Sequence, residues 1–403
     1  MKSYDLIVIG GGPAGVFAAI WAKTCHPQLS VLILEKSPNL LRKVSLSGGG
    51  RCNLTNELLN PKTAGDFYPR GSQELIGALT RWSSTHTMEW FESKGVRLKT
   101  EDGGRVFPVT NQSQTIVNCL LTELDRLEIK TCLNQDIQSI STKNDWFELN
   151  IKEKDPLFCK KLLLATGSSK DGYRWAEQFG HRITAPVPSL FTFTVSSFAL
   201  KELSGTSVNP VELRIDESAK AYSGALMIAH FGFSGPAVLK LSAFYARYLH
   251  EKNYQADLIV NWLPSYTEKQ ICKILCDLKL DAPQQHLLAL NPFLFSKSFW
   301  KTLLSGQSDK TLRNLSLKEI RALSARLHAD RYRINGNTAH KEEFVTCGGI
   351  DRREINFKNM ESKKKSNLFF VGEAIDIDGI TGGFNLQNGW TTGYIAGSNF
   401  TET

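Results

Sequence analysis

Residues 4–35 decide the fold, and they read YDLIVIGGGPAGVFAAIWAKTCHPQLSVLILE. The apolar run Tyr4–Ile9 predicts a strand, and Val31–Leu34 predicts a second one. Between them, Val16–Lys23 is apolar nearly all round, which is typical of a buried helix. The stretch therefore predicts a strand–turn–helix–strand unit of the parallel α/β type.

The turn of this unit has the spacing G-x-G-x-x-G at Gly10, Gly12 and Gly15. Gly10 permits a tight turn, Gly12 lets the backbone approach a pyrophosphate, and Gly15 allows close packing of helix on strand. Glu35 ends the second strand, where a carboxylate accepts hydrogen bonds from ribose hydroxyls. The pattern predicts a dinucleotide site; the alternative is a glycine-rich turn with a surface glutamate.

Two later segments repeat the pattern of an apolar strand followed by glycine. A strand at Lys161–Ala165 closes with Thr166-Gly167, and a strand at Asn367–Val371 is followed by Gly372-Glu373 and then Asp376. Backbone amides and an acid in these positions can hold the middle of a longer dinucleotide. The combination resembles the FAD-binding half of the glutathione-reductase-like flavoproteins and favours FAD over NAD.

The periodicity of apolar residues also predicts elements between these segments. One amphipathic helix is predicted over Gln73–Lys94, and a hairpin before Lys161–Ala165 is predicted to lie over the parallel sheet as a β-meander. The predicted domains are as follows: 1–188, first part of the FAD-binding domain; 189–262, an inserted β-barrel-like domain; 263–330, a helical domain; 331–345, a return strand of the inserted domain; 346–403, second part of the FAD-binding domain.

Four longer motifs carry a more specific resemblance. They are SGGGRCNLTN at 47–56, HFGFSGPAVL at 230–239, TCGGI at 346–350 and GEAIDIDGITGGFNLQ at 372–387. Together they are similar to the motifs of the BaiN-like (aminoacetone oxidase-like) family of NAD(P)/FAD-dependent flavoproteins, over essentially the whole chain. This chain departs from the family pattern at Ser168, Ala229 and Phe384, the last of which lacks a phenol hydroxyl.

The resemblance implies an α/β fold with a Rossmann-like FAD-binding domain built from both chain ends, an inserted β-barrel-like domain and a helical domain. It implies an FAD-dependent oxidoreductase that transfers a hydride between flavin N5 and a small organic substrate or NAD(P)H. Because a second glycine fingerprint is not visible, NAD(P)H is expected only as a transient donor. The expected cofactor-binding residues are Gly10, Gly12, Pro13, Ala14, Gly15, Glu35, Lys36, Gly48, Gly49, Gly50, Arg51, Cys52, Ala165, Thr166, Gly167, Gly372, Glu373, Asp376, Gly382, Gly383, Phe384, Asn385 and Leu386.

The SGGGRCN segment can act in two ways. Gly48–Gly50 can present consecutive amides as an anion-binding nest, with Arg51 as a fixed cation; the alternative is a structural loop with Arg51 in a salt bridge. Cys52 suggests redox chemistry, and Cys347 is the distant partner that a disulfide relay would need. The glycines at 382–383 would direct the N-terminus of the last helix toward the flavin.

His230 is the predicted general acid, because it lies in a glycine-rich turn and histidine titrates near neutrality. The alternative is a histidine satisfied within the core, and Tyr222 and Ser234 are weaker candidates for the acid. No metal site is expected.

Composition limits the remaining options. The chain has 403 residues, a formal net charge of +8 and eight cysteines, too few for a disulfide scaffold. No apolar run reaches the ~20 residues that span a bilayer, so a cytoplasmic protein without membrane contact is expected. A flavoprotein acting on or binding RNA is the alternative function, although a basic stripe with interleaved aromatics is not visible. A flavin-bound sensor without turnover is a third.

Overall fold

A computed structural model describes residues 2–196, 198–338 and 345–400. The chain forms two compact units, one from Met1–Val187 with Val345–Thr403 and the other from Pro188–Phe344. The first is called the nucleotide-binding unit and the second the barrel–helix unit. Within the described ranges, no helix is long and apolar enough to cross a bilayer.

The strands, in chain order, are β1 (Lys2–Ile9), β2 (Val31–Leu34), β3 (Thr55–Asn56), β4 (Leu98–Glu101), β5 (Arg105–Pro108), β6 (Lys130–Cys132), β7 (Ile137–Lys143), β8 (Trp146–Ile151), β9 (Leu157–Leu164), β10 (Ile183–Ser189), β11 (Thr192–Val195), β12 (Ser207–Ile215), β13 (Tyr222–Ala229), β14 (Gly232–Ser234), β15 (Ala256–Asn261), β16 (Asp330–Thr338), β17 (Val345–Ile350), β18 (Ile355–Asn356), β19 (Glu361–Ser362) and β20 (Leu368–Phe370). The α-helices are α1 (Pro13–Cys25), α2 (Arg42–Leu46), α3 (Ala64–Phe67), α4 (Ser72–Arg81), α5 (Ser84–Ser93), α6 (Ser113–Arg126), α7 (Lys170–Gln178), α8 (Pro236–Phe244), α9 (Ala246–Glu251), α10 (Glu268–Asp281), α11 (Leu287–Leu290), α12 (Lys297–Leu303), α13 (Leu317–His328) and α14 (Phe384–Ser398).

The main sheet belongs to the nucleotide-binding unit and has the order β18-β19-β20-β9-β1-β2-β6. Its core of β20, β9, β1, β2 and β6 is parallel. Such strands are buried on both faces and read as continuous apolar runs, as β2 and the end of β1 do. Both chain ends therefore build one Rossmann-like sheet, which confirms the predicted fold class.

Two local predictions were wrong. The meander does not lie over the sheet: β8 pairs with Leu157–Cys159, the first part of β9, so β7 and β8 extend the same sheet. The helix predicted over Gln73–Lys94 is two helices, α4 and α5. Ser83 starts the second one, because its side chain accepts from the His86 amide while the His86 ring accepts from the Ser83 amide.

The two helices from opposite chain ends, α1 and α14, pack backbone against backbone. A Cβ added at Gly393 would lie 2.7 Å from the Ala14 carbonyl oxygen, and one at Gly397 would lie 2.5 Å from that of Ala18. Gly389 continues this face one turn earlier, against Ala14. Only a row of small residues permits this approach, which fixes where α14 begins relative to the glycine turn of α1.

The barrel–helix unit is built on a closed barrel with the order β11-β14-β13-β12-β15-β16. Phenylalanines 193 and 233 and leucines of β12, β13 and β15 fill its interior. The helices α10, α12 and α13 share one hydrophobic core with this barrel through Ile271, Trp300 and Leu327. The return segment predicted over 331–345 begins in β16, and residues 339–344 lie outside the described ranges.

Candidate functional site

The carboxyl ends of the central parallel strands lie side by side. Ile9 of β1 is in register with Leu34 of β2 and Leu164 of β9, and Leu164 is in register with Phe370 of β20. The glycine turn, Glu35, Thr166-Gly167 and Gly372-Glu373 follow these four strand ends directly. The structure therefore brings the predicted cofactor segments of the sheet to one edge, where open α/β sheets bind ligands.

The three fingerprint glycines have different surroundings. Gly10 has φ +110°, and a Cβ there would lie 2.3 Å from the Ala165 carbonyl oxygen; one at Gly15 would lie 2.2 Å from the Gly10 oxygen. At Gly12, a Cβ would meet no protein atom within 4 Å. Gly10 and Gly15 are thus required by the protein's own packing, whereas Gly12 faces open space in which a ligand can approach the backbone.

Helix α1 begins in that open space. Gly12 is its N-cap residue and provides no side-chain cap, Pro13 follows at the first helical position, and Ala14 is buried beside it. The first-turn amides of a helix have no partner within the helix and carry partial positive charge. An uncapped and glycine-opened helix start is a ready-made phosphate site.

Glu35 is fixed against this turn by two backbone amides. Its Oε2 accepts from the Gly11 amide at 2.7 Å, and its Oε1 accepts from the Ser37 amide at 2.7 Å. Each carboxylate oxygen retains a lone pair for a further donor. The neighbouring Lys36 is mostly exposed, and its ammonium lies 3.2 Å from Asp171.

The glycines of SGGGRCN take left-handed backbone conformations, with φ +60°, +67° and +82° at Gly48, Gly49 and Gly50. A Cβ at Gly49 or Gly50 would meet nothing within 4 Å. The loop is therefore open on the side of its last two glycines, as an anion-binding nest requires.

Arg51 and Cys52 complete this segment and are both engaged by the protein. The Arg51 guanidinium lies 3.0 Å from Glu101 and 4.1 Å from the centre of the Phe107 ring. Cys52 is fully buried, and this burial raises the pKa of its thiol to about 12. None of the eight cysteines forms a disulfide. Arg51 thus makes the salt bridge that was the alternative for it, and Cys52 lacks the exposed, low-pKa character of a reactive thiol.

The SGGGRCNLTN segment is joined to the start of α14 by side-chain hydrogen bonds. Asn56 Nδ2 donates to the Gly382 carbonyl at 3.1 Å, Thr55 Oγ1 donates to Gln387 at 2.6 Å, and Trp390 Nε1 donates to the Leu54 carbonyl at 3.0 Å. With its amide group in the orientation that satisfies both ends, Asn53 accepts from the Gly383 amide at 3.2 Å. Motifs more than three hundred residues apart therefore form one continuous wall.

Hydrogen bonds and ring packing stabilise the loop before α14. Asn385 exchanges two hydrogen bonds with the Gly379 backbone, at 2.8 and 2.9 Å, and Leu386 follows it in the first helical turn. The Phe384 ring is buried and stacks on Phe67, with ring centres 4.4 Å apart, and Tyr68 Oη donates to the Phe384 carbonyl. The Phe384 side chain thus packs in the protein interior.

The predicted acids Glu373 and Asp376 are held by cations of the protein. Glu373 accepts from the Thr346 amide at 3.0 Å and pairs with Lys43, while Asp376 lies 2.9 Å from Arg352. Sequence reasoning missed a further pair in this motif, the buried one between Asp378 and Arg70. No local pattern marks Arg70, which lies far from Asp378 in the sequence.

Three buried polar atoms at this edge have no hydrogen-bond partner among the described residues. They are Thr166 Oγ1 after β9, Asn388 Oδ1 on α14 and the Tyr173 hydroxyl on α7. Burying such groups unpaired costs roughly 1–3 kcal/mol each. Together with the open backbone at Gly12, Gly49 and Gly50, these atoms are polar groups that an extended, phosphate-containing cofactor can partner.

His230 belongs to the barrel–helix unit. It occupies the tip of the hairpin between β13 and β14, it is exposed, and its ring contacts that of Phe231 with centres 4.9 Å apart. It is therefore not a histidine satisfied within the core. Tyr222, by contrast, is buried, and Ser234 is half-buried. Within the described ranges, no three His, Cys, Asp or Glu side chains cluster as a metal site requires.

The fold and this sheet edge define a dinucleotide-binding protein of the flavoprotein oxidoreductase class. The chain belongs to the family described as HI0933-like protein Rossmann domain, which matches residues 4–399. The family and its fold support FAD as the cofactor.

Three curated relatives match almost end to end. The chain is 28% identical to a ribosomal RNA dihydrouridine synthase of Escherichia coli, over 98% of this chain and 97% of the relative. It is 29% identical to the protein of the same name from Haemophilus influenzae, over 98% of both. It is 26% identical to a 3-dehydro-bile acid delta(4,6)-reductase of Clostridium scindens, over 97% of both.

Solved structures share the fold at lower identity. A 3-ketosteroid delta1-dehydrogenase from Sterolibacterium denitrificans aligns over 99% of both chains with a TM-score of 0.53 and 13% identity. The E. coli quinol fumarate reductase FrdA aligns over 99% of this chain and 70% of that chain, with a TM-score of 0.51 and 14% identity. Identities this low show the fold alone.

Proposed function

We propose that this protein is an FAD-dependent reductase of a carbon–carbon double bond conjugated to a carbonyl, and that its substrate is a uridine base in ribosomal RNA. One observation carries the proposal: the end-to-end relatives share a reaction type. Dihydrouridine arises by saturation of the uracil 5,6 bond, which is conjugated to a carbonyl. A delta(4,6)-reductase acting on a 3-oxo steroid saturates bonds in the same relation to a carbonyl.

The protein's own groups would bind the cofactor at the sheet edge described above. The α1 amides and the Gly48–Gly50 amides would hold the pyrophosphate, and Glu35 would accept from the ribose hydroxyls. The start of α14, with the amides of Asn385 and Leu386, would place its positive end toward the flavin ring. The orphaned Thr166 and Asn388 oxygens would gain partners.

The reaction balances with a reduced nicotinamide as the ultimate reductant. FAD held at this site would, in its reduced form, supply the hydride that the β-carbon of the conjugated bond needs. The α-carbon then needs a proton, and we assign the role of proton donor to His230. Because His230 is exposed, water can return a proton to its side chain after the transfer. The net products would be the saturated base and the oxidised nicotinamide.

The choice of RNA over a small enone rests on two observations. The two relatives named for ribosomal RNA are 28% and 29% identical, against 26% for the bile acid reductase. The chain also carries a net charge of +8, which favours polyanionic partners. This reverses the order in which the sequence alone ranked the two substrate classes, and a ribosomal substrate would place the protein in the cytoplasm.

The test uses the purified, FAD-loaded protein under anaerobic conditions. It is reduced with NADH or NADPH and incubated with unmodified ribosomal RNA, and nucleosides are then analysed by mass spectrometry. Dihydrouridine is expected, with a gain of two hydrogens in one uridine. If RNA stays unchanged while a 3-oxo-4,6-diene steroid is saturated, the substrate is a small enone and the RNA proposal is wrong. If neither reoxidises the flavin, the reductase proposal is wrong.

The proton donor is tested by His230→Gln. Loss of general acid catalysis should slow reoxidation of the flavin by substrate by about 10²–10⁴-fold. Because the side chain is exposed, FAD content and melting temperature should stay unchanged. His250→Gln is the matched control, since His250 is also exposed and in the same unit. Turnover near wild type in folded, FAD-loaded His230→Gln would remove His230 from the mechanism.

A further inference from the structure

The β4–β5 hairpin of the nucleotide-binding unit takes part in a cluster of three cations that meet at one carboxylate. Successive side chains of a strand point to opposite faces, and the register pairs Lys99 with Phe107 and Glu101 with Arg105. These four side chains therefore share one face of the hairpin. Arg51, from the SGGGRCN segment, lies over the Phe107 ring, with its guanidinium carbon 4.1 Å from the ring centre.

All three cations lie against Glu101. The Lys99 ammonium and Arg51 Nη1 are 2.9 and 3.0 Å from the same oxygen, Oε1, and Arg105 Nη2 is 3.9 Å from Oε2. Hydrogen bonds from Lys99 and Arg51 lower the pKa of the Glu101 carboxyl, so it is ionised at neutral pH. One negative charge thus faces three positive charges, and this cation cluster of Arg51, Lys99 and Arg105 keeps an excess of two.

The cation cluster is accessible, and its donors are not all used. Its three side chains are between 34% and 43% exposed. Arg51 bonds to Glu101 through Nη1 alone, so within the described ranges its Nε and Nη2 have no protein acceptor. Arg105 Nε donates to the backbone carbonyl of Asp102, the nearest other acid in the sequence.

The excess of charge distinguishes the cluster from an ordinary surface salt bridge. A single carboxylate can offset one cation, and the remaining cations repel each other at this short range. A salt bridge that only held the hairpin to the SGGGRCN segment would need Arg51 and Glu101 alone. The arrangement is therefore completed by a further anion.

A phosphate monoester is the anion that fits. It carries about −1.5 to −2 charge at pH 7, which matches the excess of the cluster. Its oxygens suit the planar fork of arginine, which binds phosphate in a bidentate way, with lysine as a point charge. The phosphates of an RNA strand are diesters spaced along the chain, so a strand would use only part of a cluster that converges on one point.

The location of the cluster indicates which phosphate it binds. The Phe107 ring beneath Arg51 also packs against the Gly48–Gly50 loop, since a Cβ at Gly48 would lie 3.2 Å from it. The proposed function assigns this loop to FAD, and it also requires a reduced nicotinamide. Because a second glycine fingerprint is not visible in the sequence, that nucleotide needs another means of binding. Arginine is the residue that accommodates the 2′-phosphate by which NADP differs from NAD.

We propose that Arg51, Lys99 and Arg105 bind the 2′-phosphate of NADPH, so that NADPH rather than NADH reduces the flavin. One hydride passes from the nicotinamide to the flavin, and NADP⁺ is released. The inference rests on the proposed function for the use of a nicotinamide, whereas phosphate binding can be measured without turnover. Glu101 holds the cations in place and, through its own charge, limits how tightly the anion binds.

The first experiment measures binding of 2′,5′-ADP and 5′-AMP to the oxidised, FAD-loaded protein by isothermal titration calorimetry at low salt. The two ligands differ only in the 2′-phosphate, and 2′,5′-ADP should bind at least tenfold more tightly. Arg51→Gln should weaken 2′,5′-ADP binding about tenfold, as the loss of a charge-assisted hydrogen bond does. Glu101→Gln should strengthen it, because the competing charge is removed; a merely structural role for Glu101 predicts no gain.

The second experiment follows flavin reduction by stopped flow under anaerobic conditions. Lys99→Gln/Arg105→Gln should raise the NADPH concentration that gives half the limiting rate about tenfold or more. The limiting rate and the response to NADH should stay unchanged. The matched control is Lys130→Gln/Lys143→Gln, which removes two exposed lysines of the same unit and should behave like wild type with both reductants.

Three results would overturn the proposal. The first is equal affinity of the wild type for 2′,5′-ADP and 5′-AMP. The second is equal behaviour of the cluster variants and the control. The third is binding of a 12-mer oligouridylate that depends on the cluster, without discrimination between NADPH and NADH, and it would assign the cluster to RNA.

Dithionite reduces the flavin without a nicotinamide and so separates this proposal from the function. Dihydrouridine formed by the dithionite-reduced protein, together with no preference for NADPH, upholds the function and overturns the phosphate site. A preference for NADPH that depends on the cluster, without any dihydrouridine, upholds the phosphate site and overturns the function.

Discussion

Two regions of the nucleotide-binding unit build binding surfaces by opposite means. At the sheet edge the backbone itself forms the site: Gly10 approaches the Ala165 carbonyl, and a Cβ on Gly383 would lie 2.6 Å from the Thr55 carbonyl oxygen. On the β4–β5 hairpin, three cationic side chains around Glu101 form the proposed phosphate site. A surface made of backbone needs glycine at fixed places, whereas a surface made of side chains tolerates many sequences.

This difference has a consequence for substitutions. Where backbone touches backbone, one methyl group displaces the main chain, and cores respond to such additions with losses of about 1–3 kcal/mol. Where an exposed side chain lines a binding site, its removal leaves the fold intact and changes only the affinity for a ligand. Stability and binding should therefore respond together where backbone touches backbone, and separately where a position faces open space.

The largest effect is expected for Gly10→Ala. Its φ of +110° is strained for any residue with a Cβ, and that Cβ would lie 2.3 Å from the Ala165 oxygen. Backbone strain of about 1–3 kcal/mol adds to overpacking of about 1–3 kcal/mol. Urea unfolding of the FAD-free protein should show this loss of stability, and FAD retention should fall with it.

Gly12→Ala sharpens the comparison from within the same turn. Gly12 has an ordinary φ of −79°, and its Cβ would meet no protein atom. The FAD-free variant should unfold at the wild-type urea concentration, while FAD affinity falls tenfold or more as a charge-assisted hydrogen bond of about 1.5–3 kcal/mol is lost. Equal FAD affinity in Gly12→Ala and wild type would show that the cofactor does not approach here.

A smaller effect is expected for Glu35→Gln. The neutral amide oxygen can accept from only one of the Gly11 and Ser37 amides, which both bond to the carboxylate, and it forms weaker bonds to ribose. FAD affinity should fall by about tenfold, within the range for one charge-assisted hydrogen bond. Glu177→Gln, at an exposed position on α7, is the control. Wild-type FAD affinity in Glu35→Gln would show that Glu35 stabilises the turn but does not contribute to FAD binding.

The sequence predicted the nucleotide-binding unit well because its constraints are local. The glycine spacing, the apolar strands and the motif at 372–387 each restrict a few consecutive residues, so their pattern is visible without the fold. The split of Gln73–Lys94 into two helices was missed because a serine cap within a helical pattern depends on one side-chain geometry. The Arg70–Asp378 pair was missed because it joins residues distant in the chain.

The cation cluster was not predictable for the same physical reason. Arg51 is far from Lys99 and Arg105 in the sequence, and the three meet only because the β4–β5 hairpin packs against the SGGGRCN segment. Sequence reasoning therefore considered a salt bridge for Arg51, but it found neither the acid that pairs with it nor the two cations beside it.

The smallest effect concerns Cys52, where the sequence suggested redox chemistry and the structure shows a packed side chain. Burial raises the pKa of this thiol to about 12, so the reactive thiolate is scarce at neutral pH. Alkylation of the intact protein by iodoacetamide, followed by peptide mass spectrometry, should modify the exposed Cys132 and leave Cys52 unmodified. The Cys52 labelling rate should stay negligible from pH 7 to pH 9, because that window lies well below the raised pKa.

The variant Cys52→Ala completes this test. It removes one buried sulfur and should cost about 1 kcal/mol of stability, while the rates of flavin reduction and reoxidation stay unchanged. A thiol relay would predict the opposite, namely fast labelling of Cys52 and loss of turnover in a stable variant. If that were observed, the SGGGRCN segment would contribute a reactive side chain as well as backbone amides. The contrast between a backbone-built and a side-chain-built site would then fail at this motif.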